Sequence, residues 1–314
     1  MDNTELIITE QAELTHIPIN EELMMRWIAF VDGTPKTVQT YTRAVRQFIR
    51  FLMRNGVTHP TREDVIRFRE ELLLECKPTT VASYLQATKL FFRWLASEDL
   101  YPNIADNVKG VKLDDSFKKG YLTEGQVKDL LQSVDRSSVH GKRDYAILSI
   151  MVTCGLRVVE IVRANVEDYS IKGASAVLYV QGKGHTERTD YVKLAEPVEA
   201  ALRDYLSVRG KASPGEPLFC SVANRNAGER MTTRSVSRIV KEQLARIGID
   251  REDITAHSLR HTAGVQNIMH DGSLLETQVL LRHKNPSTTQ RYTHAAEREK
   301  NNSEARLAKA FFTF

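Results

Sequence analysis

Six side chains in the second half of the 314-residue sequence could act together on a phosphate ester: Arg157, Lys183, His257, Arg260, His283 and Tyr292. Each has a plainer role when taken alone. Arg157, in "CGLRVVEI", can pair with Glu160 three residues on. Lys183, in "QGKGHTER", can be a solvated turn lysine, and His283, in "LLRHKN", can sit at a helix end and interact with its dipole. Tyr292, in "NPSTTQRYTHAAERE", can be a half-buried phenol capping a small core. Jointly they supply what metal-free phosphodiester transfer requires. Two guanidinium forks can hold non-bridging oxygens and stabilise the charge that develops on them. A histidine can take the proton of a phenol whose free pKa is about 10. A lysine on a hairpin can protonate the leaving 5′ oxygen. The phenolate can then store the bond as a phosphotyrosine. On this reading Tyr292 is exposed to the phosphate, which its polar neighbours suit.

In "HSLRH", His257 and His261 lie at i, i+4 and share a helical face, a spacing that also suits zinc. The zincin pattern needs a Glu after the first His, and Ser258 stands there. Arg260 shares a face with His257 at i, i+3, and an Arg beside a His suits a phosphate better than a cation. No metal is expected.

The positioning elements are mainly helical. Residues 20–31 form one amphipathic candidate. Thr34 caps a second and Pro35 opens it; Val38, Tyr41, Val45, Phe48, Ile49 and Leu52 fall on one face, and Gly56 ends it. "TREDVIRFREELLLE" is a third, and "KPTTVASYLQATKLFFRWLASED" a fourth with an apolar stripe from Val81 to Leu95. The second and fourth share a pattern from Pro35 to Leu52 and Pro78 to Leu95, read either as common capping grammar or as two helix starts offering hydroxyls and bases to phosphates. Residues 103–120 are polar, hold two Gly and read as a linker. A helix restarts where Thr123 and Gln126 form a capping box. "RDYAILSIMVTCG" is apolar all round and reads as a buried helix. Two β-rich runs flank "GKGHTER" as a hairpin with a long basic tip. An amphipathic helix at "TTRSVSRIVKEQLARIG" and short helices near 257–269, 274–282 and 287–294 follow.

Composition, at 41% hydrophobic and 27% charged, is that of a soluble globular protein with no span long and apolar enough for a membrane. The first residues lack the basic and apolar regions of a signal peptide, and three well-separated cysteines give neither a metal spacing nor a disulfide framework. A reducing cytoplasm is the expected compartment, with association with the nucleoid when bound to DNA. Residues 1–32 carry one Arg against seven acids, whereas residues 33–112 carry thirteen Lys and Arg against eight acids. The body behind the acidic leader is therefore moderately basic and suits a phosphate-rich partner.

"CGLRVVEI", "GKGHTER", "HSLRHT" and "LLRHKNPSTTQRYTH" stand in the order and at the spacings of the tyrosine recombinases, the family of lambda integrase, Cre and the bacterial Xer proteins, which residues 20–295 resemble. The resemblance implies a mainly α fold: an acidic leader at 1–19, a helical core-binding domain at 20–102, the linker at 103–120, a mixed α+β catalytic domain at 121–294 with a small antiparallel sheet, and a tail at 295–314, the two domains making a DNA clamp. It implies Arg157, Lys183, His257, Arg260 and His283 as the activating set, Tyr292 as nucleophile, and Glu160 and His261 as supports. It implies no cofactor, a homotetramer on two specific double-stranded DNA sites, and, in some cases, a second recombinase or a DNA-bending protein as partner. Candidate DNA contacts are Lys36, Thr37, Thr40 and Arg43 on the second helix and Thr79, Thr80 and Lys89 on the fourth. In the second domain they are Arg188, Arg234 and Arg282.

Arg282 departs from the family, which usually has Gly before the histidine matched by His283; the local helix-end geometry is in question there, and Arg282 is available for a further phosphate contact. No arm-binding domain is expected ahead of the core-binding region, so the chain is expected to be most similar to the simple two-domain Xer type. Phe311, Phe312 and Phe314 in the tail are expected to dock on a neighbouring protomer, with docking on their own domain as the alternative. The expected function is a site-specific DNA recombinase. A type IB topoisomerase and a non-catalytic DNA-binding regulator on the same scaffold are the rivals.

Overall fold

The computed structural model describes residues 20–113, 120–182, 188–223 and 225–312. The leader at 1–19, the later part of the linker, Lys183 and Phe314 lie outside the described residues. The chain divides into two compact units, Met1–Asp115 and Ser116–Phe314.

Among the described residues, four helices build the first unit: α1 (Glu21–Phe30), α2 (Pro35–Arg54), α3 (Arg62–Glu75) and α4 (Pro78–Ser97). Their starts follow local chemistry. Thr34 accepts the Thr37 backbone N–H, with Pro35 behind it at a position that needs no N–H. Thr61 and Asp64 cap α3, the Thr61 N–H donating to Asp64 at 2.8 Å. Lys77 precedes Pro78 at the start of α4, which puts Thr79 and Thr80 on its first turn. The core is aromatic. Phe48 meets Phe68 and Phe92 edge-on at 5.1 and 5.6 Å, and Trp27 meets Phe91 edge-on at 5.3 Å. Burying each such ring contributes about 2–3 kcal/mol, so this core and not helix propensity holds the bundle. Phe51, Phe91 and Trp94 join it beyond the stripes read from sequence. Residues 103–111 are less free than their polarity suggests. Ala105 and Val108 are buried in the same core, and Arg69 and Lys89 donate to the carbonyls of Lys109 and Val108.

The second unit holds α5 (Glu124–Gln132), α6 (Val139–Cys154), α7 (Val158–Arg163), β1 (Tyr169–Lys172), β2 (Ser175–Val180), β3 (Asp190–Leu194), α8 (Glu196–Arg209), α9 (Thr233–Arg246), α10 (Ala256–Met269), α11 (Leu274–Leu281), α12 (Ser287–Lys300) and α13 (Ser303–Phe312). The strands form an antiparallel sheet in the order β1-β2-β3, with Tyr169 opposite Leu178 and Tyr179 opposite Tyr191. The hairpin read from sequence is thus β2–β3, and β1 is a third strand that the sequence reading did not separate. Helix α6 is buried on every side from Ala146 to Val152, as its apolar run requires, and it packs against α8, α10 and β3. It stops at Gly155, at φ 60°. A Cβ there would stand 2.5 Å from Leu281 Cδ2, so only glycine satisfies both the turn and the approach of α11. Among the described residues no helix is long and apolar enough to cross a membrane.

Candidate active site

Four chain segments of the second unit converge on one cluster. The first is the turn after α6. Gly155 reverses the chain, Leu156 anchors in the core, and Arg157 becomes the N-cap residue of α7. Its backbone N–H donates to Glu160 Oε2 at 2.8 Å and its guanidinium to Oε1 at 2.7 Å. Glu160 is 1% exposed and also accepts from Arg282 Nη2 at 2.9 Å. Burial pushes this carboxyl up, but the Arg282 guanidinium and then the N–H and guanidinium of Arg157 outweigh it and hold the pKa below the usual range.

The second segment is α10. Its first turn carries His257, exposed, and its buried face carries Arg260 and His261. Arg260, 1% exposed, donates to the carbonyls of Gly155, at 2.6 Å, and Leu281. Those two acceptors are loop and helix-end carbonyls, so the fold itself supplies the groups that orient this guanidinium. Burial, with Arg157 and Arg282 nearby, lowers its pKa to about 9, and it stays charged at neutral pH. The His257 and His261 rings meet edge-on at 4.6 Å.

The third segment is the end of α11. Arg282 takes the left-handed conformation at φ 52° and ψ 48°. A glycine would occupy it without strain; an L side chain costs about 1–2 kcal/mol. The Arg282 guanidinium turns inward, donating to Glu160 and, at 2.8 Å, to the carbonyl of Leu280. This settles the helix-end geometry that the sequence left in question. His283 follows, half-buried, with Nδ1 2.9 Å from Thr289 Oγ1. Burial first, then Arg260, Arg157, Arg282 and Arg291, push its pKa down to about 4, so the ring is neutral at physiological pH.

The fourth segment is α12, whose inner face carries Thr289, Tyr292 and Ala296 at i, i+3 and i+7. Tyr292 is 2% exposed, which corrects the expectation of an exposed phenol. Its ring stacks near-parallel to His283 at 6.0 Å and lies over Gly264, where an added Cβ would be 3.2 Å from ring carbons. Its hydroxyl is 2.8 Å from His261 Nδ1. The polar sequence around Tyr292 belongs to the outer faces of α12, and the apolar pocket comes from α10 and α11. Burial raises the phenol pKa, against the lowering pull of Arg260, Arg291 and Arg157.

The cluster places three guanidinium groups, Arg157, Arg260 and Arg282, around one buried carboxylate. A cleft of about 340 Å³ is lined by Arg157, Glu160, Arg282 and His283, with Gly182 and Asp190 at the base of the hairpin. An excess of buried cations beside an open cleft is a site for an anion. Residues 120–299 match the Phage integrase family, and residues 23–101 match the Phage integrase, N-terminal SAM-like domain. The chain belongs to the phage integrase family.

Within that family the recombinase is 32% identical to tyrosine recombinase XerC of Thermodesulfovibrio yellowstonii over 306 residues, covering 94% of this chain and 93% of the relative. It is 33% identical to tyrosine recombinase XerD of Pseudomonas putida over 228 residues, 70% of this chain and 72% of the relative. In fold it is similar to XerH site-specific recombinase in a post-cleavage complex with palindromic difH substrate, with a TM-score of 0.69 and 20% identity over 87% of this chain and 78% of that one. It is a tyrosine site-specific recombinase of the Xer type, and neither the topoisomerase nor the non-catalytic reading is favoured.

The remaining sequence candidates are spread more widely. Lys36 and Arg43 are exposed on α2, while Thr40 Oγ1 donates back to the Lys36 carbonyl. Thr79 is exposed and Thr37 and Thr80 half-exposed at their helix starts, and Lys89 is partly buried against Val108. Arg43, Arg46 and Arg50 line one cleft on the first unit, and among the described residues no carboxylate pairs with them. Arg234 is exposed on the first turn of α9. Arg188 bridges Glu167 at 3.0 Å and Asp168 at 3.2 Å, which ties the hairpin base to the turn before β1. Sequence reasoning missed Thr289 and the inward role of Arg282. No spacing signal marks Thr289, because it meets His283 across the break between α11 and α12.

Proposed function

We propose that the recombinase cuts and rejoins specific double-stranded DNA sites with Tyr292 as nucleophile and Arg157, Lys183, His257, Arg260 and His283 as its activating set. The observation that carries this reading is the group of three guanidiniums around the buried carboxylate of Glu160, packed beside the phenol. Arg157 and Arg260 hold the non-bridging oxygens of the scissile phosphate, and Glu160 keeps the Arg157 fork in place. The Tyr292 oxygen attacks phosphorus and its proton passes to an imidazole of the His257–His261 pair. The bond from phosphorus to the 5′ oxygen breaks, with Lys183 donating a proton to that oxygen. A 3′-phosphotyrosine and a free 5′-hydroxyl result, and attack by a 5′-hydroxyl of the partner strand reverses the step. Because Tyr292 is buried, its side chain must first leave His261 Nδ1 and rotate toward the cleft.

Residues 20–102 grip the DNA through the starts of α2 and α4 and the arginine row Arg43, Arg46 and Arg50, and residues 121–294 carry out the chemistry. A lambda integrase tetramer bound to a Holliday junction shares the fold at a TM-score of 0.65 and supports a homotetramer here. Exposed Phe311 and Phe312 on α13 are the surface for its protomer contacts.

The test is a nicked suicide duplex carrying the recombination site, run on a denaturing gel. The wild-type protein forms a covalent adduct. Tyr292→Phe binds the duplex and forms none. An adduct from the Phe variant overturns the assignment.

A further inference from the structure

Thr289 has a use that the chemistry above does not assign. Its side chain is fully buried on the inner face of α12, one turn before Tyr292. Threonines in helices commonly return their hydroxyl proton to the carbonyl four residues back, as Thr40 does to Lys36 and Thr88 to Tyr84 in this chain. Thr289 does not. Among the described residues its Oγ1 has one hydrogen-bond partner, His283 Nδ1 at 2.9 Å.

Proton bookkeeping then fixes the direction. A neutral imidazole has one donor nitrogen and one acceptor nitrogen, and a hydroxyl has a single proton to place. Were Nδ1 the donor, the Thr289 proton would be buried without an acceptor, and an unmade buried donor is costly. With Nδ1 as acceptor, that proton is satisfied and the ring proton resides on Nε2. The guanidiniums of Arg260, Arg157, Arg282 and Arg291 lie near the ring, and among the described residues none hydrogen-bonds to it. They keep the ring from taking a second proton, which leaves Nδ1 free to accept.

We infer that Thr289 is a positioning residue that donates to His283 Nδ1, holds the ring in its Nε2–H tautomer, and so makes His283 a hydrogen-bond donor to a non-bridging phosphate oxygen and not a base. This rests on the placement of His283 at the reacting phosphate. It also places the nucleophile and the group that sets its neighbour's tautomer on consecutive turns of one helix. Rotation of the Tyr292 side chain toward the cleft leaves that group where it is.

The test uses the full chain. With uniformly ¹⁵N-labelled histidine, the two ring nitrogens of His283, assigned by difference against His283→Asn, are read near neutral pH. The wild-type protein should show Nε2 protonated and Nδ1 bare. Thr289→Val, equal in shape but without a hydroxyl, should lose that preference and cleave a suicide duplex about tenfold more slowly at unchanged DNA affinity. Thr289→Ser should restore both. An Nδ1–H tautomer in the wild-type protein, a Val variant that cleaves at the wild-type rate, or a Ser variant as slow as Val overturns the inference. The tautomer reading needs neither DNA nor a folded Val variant. If the wild-type protein forms no covalent adduct, the assignment of the site fails instead, and the tautomer result still stands.

Discussion

His283 illustrates how a single side chain takes its chemistry from several elements. A free imidazole titrates near 6.5, and here burial and four arginines from four segments of the unit bring that down to about 4. The folded state therefore binds fewer protons than the unfolded chain between those values. Stability conferred by the neutral ring is complete above about pH 6.5 and is lost as the pH falls toward 4. Urea denaturation at a series of pH values should show wild-type stability dropping through this window, and His283→Asn should flatten that part of the curve. A wild-type profile no steeper than that of the Asn variant would contradict the depressed pKa. Tyr292 shows the same dependence on surroundings. Its neighbours in sequence predict exposure, and its neighbours in space bury it.

At the scale of elements, the join between α11 and α12 matters most. Arg282 holds a left-handed conformation that glycine would take freely, at a cost of about 1–2 kcal/mol. Against that stands a buried ion pair to Glu160, and removing one partner of such a pair costs about 3–5 kcal/mol. The pair outweighs the strain, so Arg282→Gly should destabilise the protein by about 2 kcal/mol in chemical denaturation although it installs the residue the backbone prefers. A gain in stability would mean that backbone strain dominates. The same variant leaves Glu160 with Arg157 alone, so the adduct-forming rate should fall with it. The element pattern was largely legible beforehand. Thr34, Pro35 and the Thr123–Gln126 box cap helices where the sequence places them, because capping is a matter of residues three apart. Strand β1 was not legible: four residues with half-buried and exposed positions give no alternation to read.

At the scale of the whole molecule, α13 presents an exposed apolar face. On α13, Phe311 and Phe312 are 68% and 75% exposed, and Leu307 is exposed beside them. Helix α12 runs to Lys300, which donates to Asp271 at 3.0 Å, while Glu299 accepts from Tyr121. Truncation should therefore begin at Asn302, which keeps those ties and removes the aromatic face. Such a protein should fold and bind a single site normally yet fail to form the synaptic tetramer in sedimentation or native-gel experiments. Normal tetramers from the truncated chain would show that the tail does not hold protomers together.

By itself the sequence determined the helical grammar, the mainly α class and the family, since caps, apolar periods and spaced motifs are local properties of the chain. The tertiary structure alone decided that Tyr292 is buried against His261, that Arg282 faces Glu160, and that Thr289 meets His283. Each of these depends on how α10, α11 and α12 pack. Contacts between residues brought together from separate elements leave no periodic trace in a linear sequence.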